Sequence, residues 1–225
     1  MIRLYLGRKE QGKTTLAYHM AAKLPRRLVF DSRGLIRRPG AAVARTMDGL
    51  EKGVGALADG EIAEVVYTPR DPLKTIAFPE FATQVRGWVD MTPDLELAVF
   101  VDELTFVNIL DPDFEWAMKC CRADRMHFFL TCHRPADVPV DIRALADYWY
   151  LFAAHQEHDR AVIEERCSTA AALRVARLTD RQYVTWDDRH ATLADGAAPG
   201  DWYVDLSPGG PVAAPLDLDS STGSA

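Results

Sequence analysis

Short, unbroken apolar runs recur along the chain, near residues 2 to 6, 27 to 31, 63 to 67, 97 to 102, 126 to 132 and 147 to 153. Runs that are continuous rather than alternating read as strands buried on both faces, as in a parallel sheet covered by helices. Between them apolar positions return at helical spacing, near 13 to 24, 79 to 90, 113 to 123, 159 to 167 and 169 to 177. Leu16, Ala17, Met20, Ala21 and Leu24 mark the first of these helices. The alternation predicts an α/β fold with a mainly parallel sheet and helices on both faces. Gln182 to Asp187 reads as a further, antiparallel edge strand. Residues 32 to 47 and 68 to 78 form long connections rich in Arg, Gly and Pro, of the kind that carries function.

Composition sharpens the domain picture. At 225 residues the chain can bury one full core, expected over residues 1 to 190. From about Gly196 the sequence turns to Ala, Pro, Gly, Ser and Asp. Residues 191 to 209 read as an acidic extension docked by a short strand at Trp202 to Leu206, and residues 210 to 225 as a disordered tail. The net charge of −7 is concentrated there, because five aspartates and no Lys or Arg follow Arg189, leaving −2 for the first 190 residues. No run of about eighteen uncharged apolar residues exists, which predicts a soluble, intracellular protein without stable membrane insertion. Positive charge is carried by 20 arginines against 6 lysines. Either bidentate recognition of phosphates and carboxylates or an arginine-rich coding bias accounts for that ratio. Cys120, Cys121, Cys132 and Cys167 show no metal or disulfide spacing and read as reduced packing residues, and His155 and His158 as solvated loop side chains.

The candidate chemistry begins directly after the first strand. Gly7-Arg8-Lys9-Glu10-Gln11-Gly12-Lys13-Thr14 satisfies G-x-x-x-x-G-K-[ST] between an apolar run and a helix. This is a P-loop: its glycines let backbone N–H groups converge on phosphate oxygens, with the positive end of the following helix behind them. The loop and Thr15 would hold ATP, with Lys13 reaching the β and γ phosphates and Thr14 offering its hydroxyl to Mg²⁺. Leu97 to Glu103 is an apolar strand ending in adjacent acids, the form of a Walker B motif. Asp102 would hold Mg²⁺ opposite Thr14, and Glu103 would activate the attacking water. Two adjacent acids favour hydrolysis over transfer to an acceptor.

A third segment, Cys121-Arg122-Ala123-Asp124-Arg125-Met126-His127-Phe128-Phe129-Leu130-Thr131-Cys132-His133-Arg134-Pro135, resembles the stretch of FtsK/HerA-type DNA motors where an Arg-Ala turn leads into a strand ending in Thr-Gln-Arg-Pro. With the other two motifs the chain is similar to a small member of that superfamily over roughly residues 1 to 190. Its compact length, Asp31-Ser32-Arg33-Gly34, and the segments Arg134 to Pro139 and Ile142 to Asp147 most resemble the genome-packaging ATPases of tailless, membrane-containing double-stranded DNA viruses. The resemblance implies a RecA-like (ASCE) P-loop NTPase in which the strand ending at Thr131 lies between the P-loop strand and the Asp102 strand. It puts His133 at the sensor position beside the γ-phosphate, where the family carries glutamine. It implies that Arg122, with Arg125 as runner-up, enters the neighbouring subunit's site as an arginine finger, and that Arg134 braces its own.

The same resemblance implies a homo-oligomer, a hexameric ring, that moves double-stranded DNA into a preformed capsid. Capsid or vertex proteins would be its partners, and the host cytoplasm and the virion packaging vertex its locations. Arg33, Arg37, Arg38, Arg70 and Lys74, in the two long connections, are candidates to line the DNA path. Two alternatives stay open at this point: a related phage-assembly or conjugative pump, and a nucleotide-gated interaction module.

Overall fold

The computed structural model describes residues 1–36, 38, 40–69, 77–92, 94–107, 111–121, 125–198 and 216–219. Among these, ten strands form one sheet in the order β10-β3-β4-β2-β5-β6-β1-β7-β8-β9. The apolar runs supply β1 (Ile2–Leu6), β2 (Arg27–Asp31), β4 (Glu64–Tyr67), β5 (Leu97–Asp102), β6 (Met126–Cys132) and β7 (Tyr148–Phe152). All of these pair in parallel. The sheet fits the RecA-like P-loop class expected from sequence. β6 lies between β1 and β5, so the P-loop strand and the Asp102 strand are two positions apart.

Helices cover both faces, unequally. On one face α1 (Lys13–Ala21) packs Leu16, Ala17 and Tyr18 against Tyr5, Val29, Phe100 and Phe129. The opposite face carries α2 (Met47–Asp59), α3 (Ala77–Met91), α4 (Pro112–Cys120), α5 (Val140–Leu145), α6 (Glu157–Arg166) and α7 (Thr169–Val175). There Phe30, Phe78, Phe81, Phe114 and Phe128 form a chain of edge-on rings between sheet and helices. This heavier layer fixes the central strands on which the site is built.

Four features differ from the sequence expectation. Within the first long connection the chain forms β3 (Ala42–Ala44), and α2 follows it, capped at Thr46, whose side chain accepts from Gly49 N. Gly49, Gly53 and Gly55 weaken the local helical preference of α2, although Leu50, Val54 and Leu57 are buried at helical spacing. Gln182–Asp187 (β8) is antiparallel to β7 as expected but is not the edge, because β9 (Thr192–Ala197) pairs along its outer side. β9 is mostly exposed and so carries no apolar signature. Finally, disorder does not hold throughout the last residues: β10 (Leu216–Asp217) pairs with β3, and Asp219 accepts from Arg45 N, Thr46 N and Thr46 Oγ1. The expected strand at Trp202 to Leu206 lies outside the described residues.

Candidate nucleotide site

Every parallel strand of the sheet points its C-terminal end the same way, and the P-loop, Asp102, Glu103 and His133 all emerge at that end. Close packing dictates glycine at the loop's start: a Cβ on Gly7 would lie 2.5 Å from Phe152 Cβ and 2.6 Å from Gln11 Oε1. Gln11 Oε1 instead accepts from Arg8 N at 2.8 Å, which closes the loop on itself. Gly12 opens α1 with φ of 93°, a left-handed conformation that side-chain-bearing residues rarely adopt. The loop therefore enters the helix with the helix's first N–H groups turned toward the cleft, the arrangement that suits an anion.

Asp102 is 1% exposed and its carboxylate is the hub of the site. Its Oδ1 accepts from Thr14 Oγ1 at 2.9 Å and from Thr131 Oγ1 at 3.1 Å. Its Oδ2 accepts from Arg33 Nη2 at 2.9 Å. A buried carboxylate facing a hydroxyl is a pair of hard oxygen donors, which fits the few protein ligands that Mg²⁺ takes alongside water and phosphate. Thr14 and Asp102 are the residues that would hold that ion. Among the described residues no cluster of three or more His, Cys, Asp or Glu forms an all-protein metal site.

Glu103, also 1% exposed, adopts φ of 65°, unusual for a residue with a side chain and held by its surroundings. Its backbone N–H donates to Thr131 Oγ1 at 2.8 Å. Its Oε1 accepts from Thr105 Oγ1 at 2.8 Å and from His133 N at 3.2 Å, and its Oε2 lies 3.0 Å from His133 Nε2. Lys13 Nζ donates to Arg8 O at 2.8 Å and to His133 Nδ1 at 3.2 Å. An ammonium only donates, so Nδ1 of His133 is the acceptor and Nε2 carries the proton toward Glu103. His133 is thus a neutral bridge between the P-loop lysine and the glutamate. Burial, joined by the charge of Lys13, holds its imidazolium below the ordinary value of 6.5. Burial is also the main cause that pulls Lys13 down to about 8, against the opposing pull of Glu103 and Asp102.

Lys9, Glu10, Gly12, Lys13, Thr14, Thr15, Asp102, Glu103 and His133 line one cleft, so the structure brings most of the residues singled out from sequence together. Arg8 contributes its backbone, and Lys9 and Glu10 pair with each other at 3.8 Å at the exposed rim. Arg125 stands apart. It precedes β6 at the far end of the sheet, where Nη1 donates to Asp94 O at 3.1 Å, and takes no part in its own subunit's cleft. Arg122 lies outside the described residues. Arg134 donates to both carboxylate oxygens of Asp159 at 3.3 Å, a bracing contact beside the loop.

Sequence reasoning missed two arginines that line the cleft, Arg33 and Arg181. Arg33 was expected along a DNA path, but its side chain is bound to Asp102. Arg38, expected there too, lies over the Tyr18 ring at 4.6 Å, while Arg37, Arg70 and Lys74 fall outside the described residues. The acidic end of β2 was the available signal for Arg33: a parallel neighbour of β5 must deliver its next residues to the same edge. Nothing in the sequence marks Arg181, which reaches the cleft through the turn between α7 and β8.

No family model matches the chain, and no curated protein matches it by sequence. Its fold is similar to that of known proteins. The genome packaging NTPase B204 from Sulfolobus turreted icosahedral virus 2, solved in complex with AMPPCP, superposes with a TM-score of 0.69 at 17% identity, over 87% of this chain and 95% of that one. The bacterial conjugative coupling protein TrwB gives 0.63 at 10% identity, over 92% and 86%. VirB4 of Thermoanaerobacter pseudethanolicus gives 0.60 at 11%, over 90% and 91%. The structural neighbours therefore include a viral genome packaging NTPase and a conjugative coupling protein, in keeping with the FtsK/HerA resemblance read from the three motifs, and the chain has the RecA-like P-loop NTPase fold.

Proposed function

We propose that this protein is an ATP hydrolase that drives double-stranded DNA through a ring of its own copies, filling a preformed viral capsid. The observation that carries the hydrolase reading is the 2.9 Å contact between Thr14 Oγ1 and Asp102 Oδ1, with Lys13 and Glu103 in the same cleft. P-loop, helix terminus and Lys13 bind the triphosphate; Thr14 and Asp102 would hold Mg²⁺, which when bound would supply neutralising charge to the phosphates. Glu103 takes a proton from water as the water oxygen bonds to the γ-phosphorus and the bond to the bridging oxygen of ADP breaks. For this, Glu103 must exchange its contact with His133 for one with water, and His133 Nε2 becomes available to the γ-phosphate. The viral packaging role is supported by the fold shared with B204 and by the sequence segments around Arg134 and Ile142.

A head-to-tail ring follows if a neighbour's arginine, Arg122 first, completes each site. The hexamer, the capsid or vertex partner and the location at the packaging vertex belong to the same proposal. No helix among the described residues is long and apolar enough to cross a membrane. The test is the ATPase rate per subunit across protein concentrations, with and without double-stranded DNA. A motor ring gives a rate that rises cooperatively with concentration and again with DNA. Turnover indifferent to both would favour a nucleotide-gated interaction module and overturn the translocase.

A further inference from the structure

Arg33 has no assigned part in the reading above, yet it holds the one Asp102 oxygen that Thr14 and Thr131 leave. The turn that carries it is fixed from three sides. Asp31, fully buried, accepts from Arg33 N at 3.2 Å and from Ile36 N at 2.6 Å, and Ser32 Oγ donates to Asp102 O at 3.0 Å. The backbone is thus anchored while the side chain borders the cleft, 29% exposed. Arg33 Nε is itself buried without a hydrogen-bond partner among the described residues. Since a guanidinium presents five N–H groups in a rigid fork, the contact to Asp102, its one hydrogen bond among the described residues, leaves this side chain well short of its capacity. That combination describes a cation parked at a site rather than one satisfied by it.

Resting on the nucleotide-site reading, we propose that Arg33 is a cis-acting phosphate ligand that neutralises Asp102 before nucleotide binds and passes to the terminal phosphate of ATP when Mg²⁺ arrives. Two cations compete for the Asp102 carboxylate once the metal enters, and like charges at that separation repel. The displaced guanidinium meets a new anion in the same cleft, and arginine grips phosphate oxygens bidentately. Arg33 is then a sensor of the terminal phosphate. With ADP, which lacks that group, the arginine only competes with the metal.

The experiment measures equilibrium binding of a non-hydrolysable ATP analogue and of ADP to the full-length wild type, Arg33→Ala and Arg33→Lys, each with Mg²⁺ and with chelator. Thermal unfolding of each variant serves as the check on folding. In Arg33→Ala the ratio of ATP-analogue to ADP affinity in Mg²⁺ should fall about tenfold, the size of one charged hydrogen-bonding contact. The Mg²⁺ concentration needed for half-maximal ADP binding should fall about fivefold as the competitor is lost. Arg33→Lys, which keeps the charge, should restore part of both. An unchanged affinity ratio and an unchanged Mg²⁺ midpoint in a folded Arg33→Ala protein overturn the proposal while leaving the nucleotide site standing. A wild type that binds neither nucleotide overturns both.

Discussion

Two buried charge clusters sit at opposite ends of the sheet's parallel strands. At the C-terminal ends, Lys13, Arg33 and the neutral His133 face Asp102 and Glu103. At the N-terminal ends, Glu64, 4% exposed at the start of β4, receives Tyr18 Oη and, at 2.6 Å, Arg27 Nε, while Arg27 Nη1 donates to Leu24 O at 2.8 Å. The lower cluster is closed: one anion is matched by one cation and one hydroxyl, and none of the three lines the nucleotide cleft. Burial first, and then the Glu64 carboxylate, push the Tyr18 phenol far up, so it stays a proton donor throughout the working range. The upper cluster leaves Arg33 Nε without a hydrogen-bond partner among the described residues and opens on a cleft. Similar groups therefore serve to pin α1 to the sheet at one end and to exchange partners around an anion at the other.

The sharpest way to break this contrast is to remove the upper anion proposed to take the proton from the attacking water. Glu103→Gln keeps the shape and, through one oxygen, the contacts from Thr105 Oγ1 and His133 N, but sets an amide N–H against His133 Nε2–H and lowers basicity. Turnover should fall about 10²- to 10⁴-fold, with ATP still bound. Steady-state hydrolysis alongside equilibrium binding reads both, and a normal rate would mean that a different group takes the proton.

Lys13→Ala should lower turnover by about 10²- to 10³-fold and weaken ATP binding, because the phosphates lose a charge already desolvated in the cleft. Tight binding with undiminished hydrolysis would overturn the P-loop assignment. The converse is expected below. Glu64→Gln should leave ATP affinity unchanged at temperatures well below unfolding but cost about 1–3 kcal/mol of stability in denaturant titration, because Arg27 loses its counter-charge. A binding defect without a stability loss would erase the distinction between the two clusters.

How far the sequence spoke for the molecule follows the same division. The central strands were legible because each is buried on both faces and so must be continuously apolar, and the P-loop because phosphate binding restricts residue types at fixed spacing. β9 was not, since a mostly exposed strand has no apolar constraint to display. Nor was α2, whose glycines mask its buried stripe at Leu50, Val54 and Leu57. His133 was placed by resemblance, but its bridging of Lys13 and Glu103 depends on two contacts across 120 and 30 residues. Arg33 was legible as a charge and read as a candidate to line the DNA path, whereas its side chain is bound to Asp102. The acidic end of β2 was a signal for Arg33, but its role depends on β2 lying beside β5, with Asp31 opposite Asp102, a fact of pairing that has to be combined with that local pattern.

The smallest expected effect concerns the bridge itself. His133 meets the charges of Lys13, Glu103, Arg33 and Asp102, and burial together with Lys13 depresses its protonation below the ordinary 6.5. In the unfolded chain the same imidazole binds a proton as pH falls through about 6.5, while the folded protein resists doing so until lower pH. The unfolded state therefore holds more protons in that window, and stability declines on acidification from about pH 6.5 until the folded group also titrates, then levels off. His133→Gln removes this contribution and installs the residue that the resembling motors carry. Its unfolding temperature should change less with pH below 6.5 than that of the wild type, by about one or two degrees. It should also lose any acid limb of ATP turnover that arises from a second positive charge against Lys13. Parallel stability profiles for the two proteins would mean that His133 is protonated alike whether folded or not, and that its contact with Lys13 does not restrain the proton.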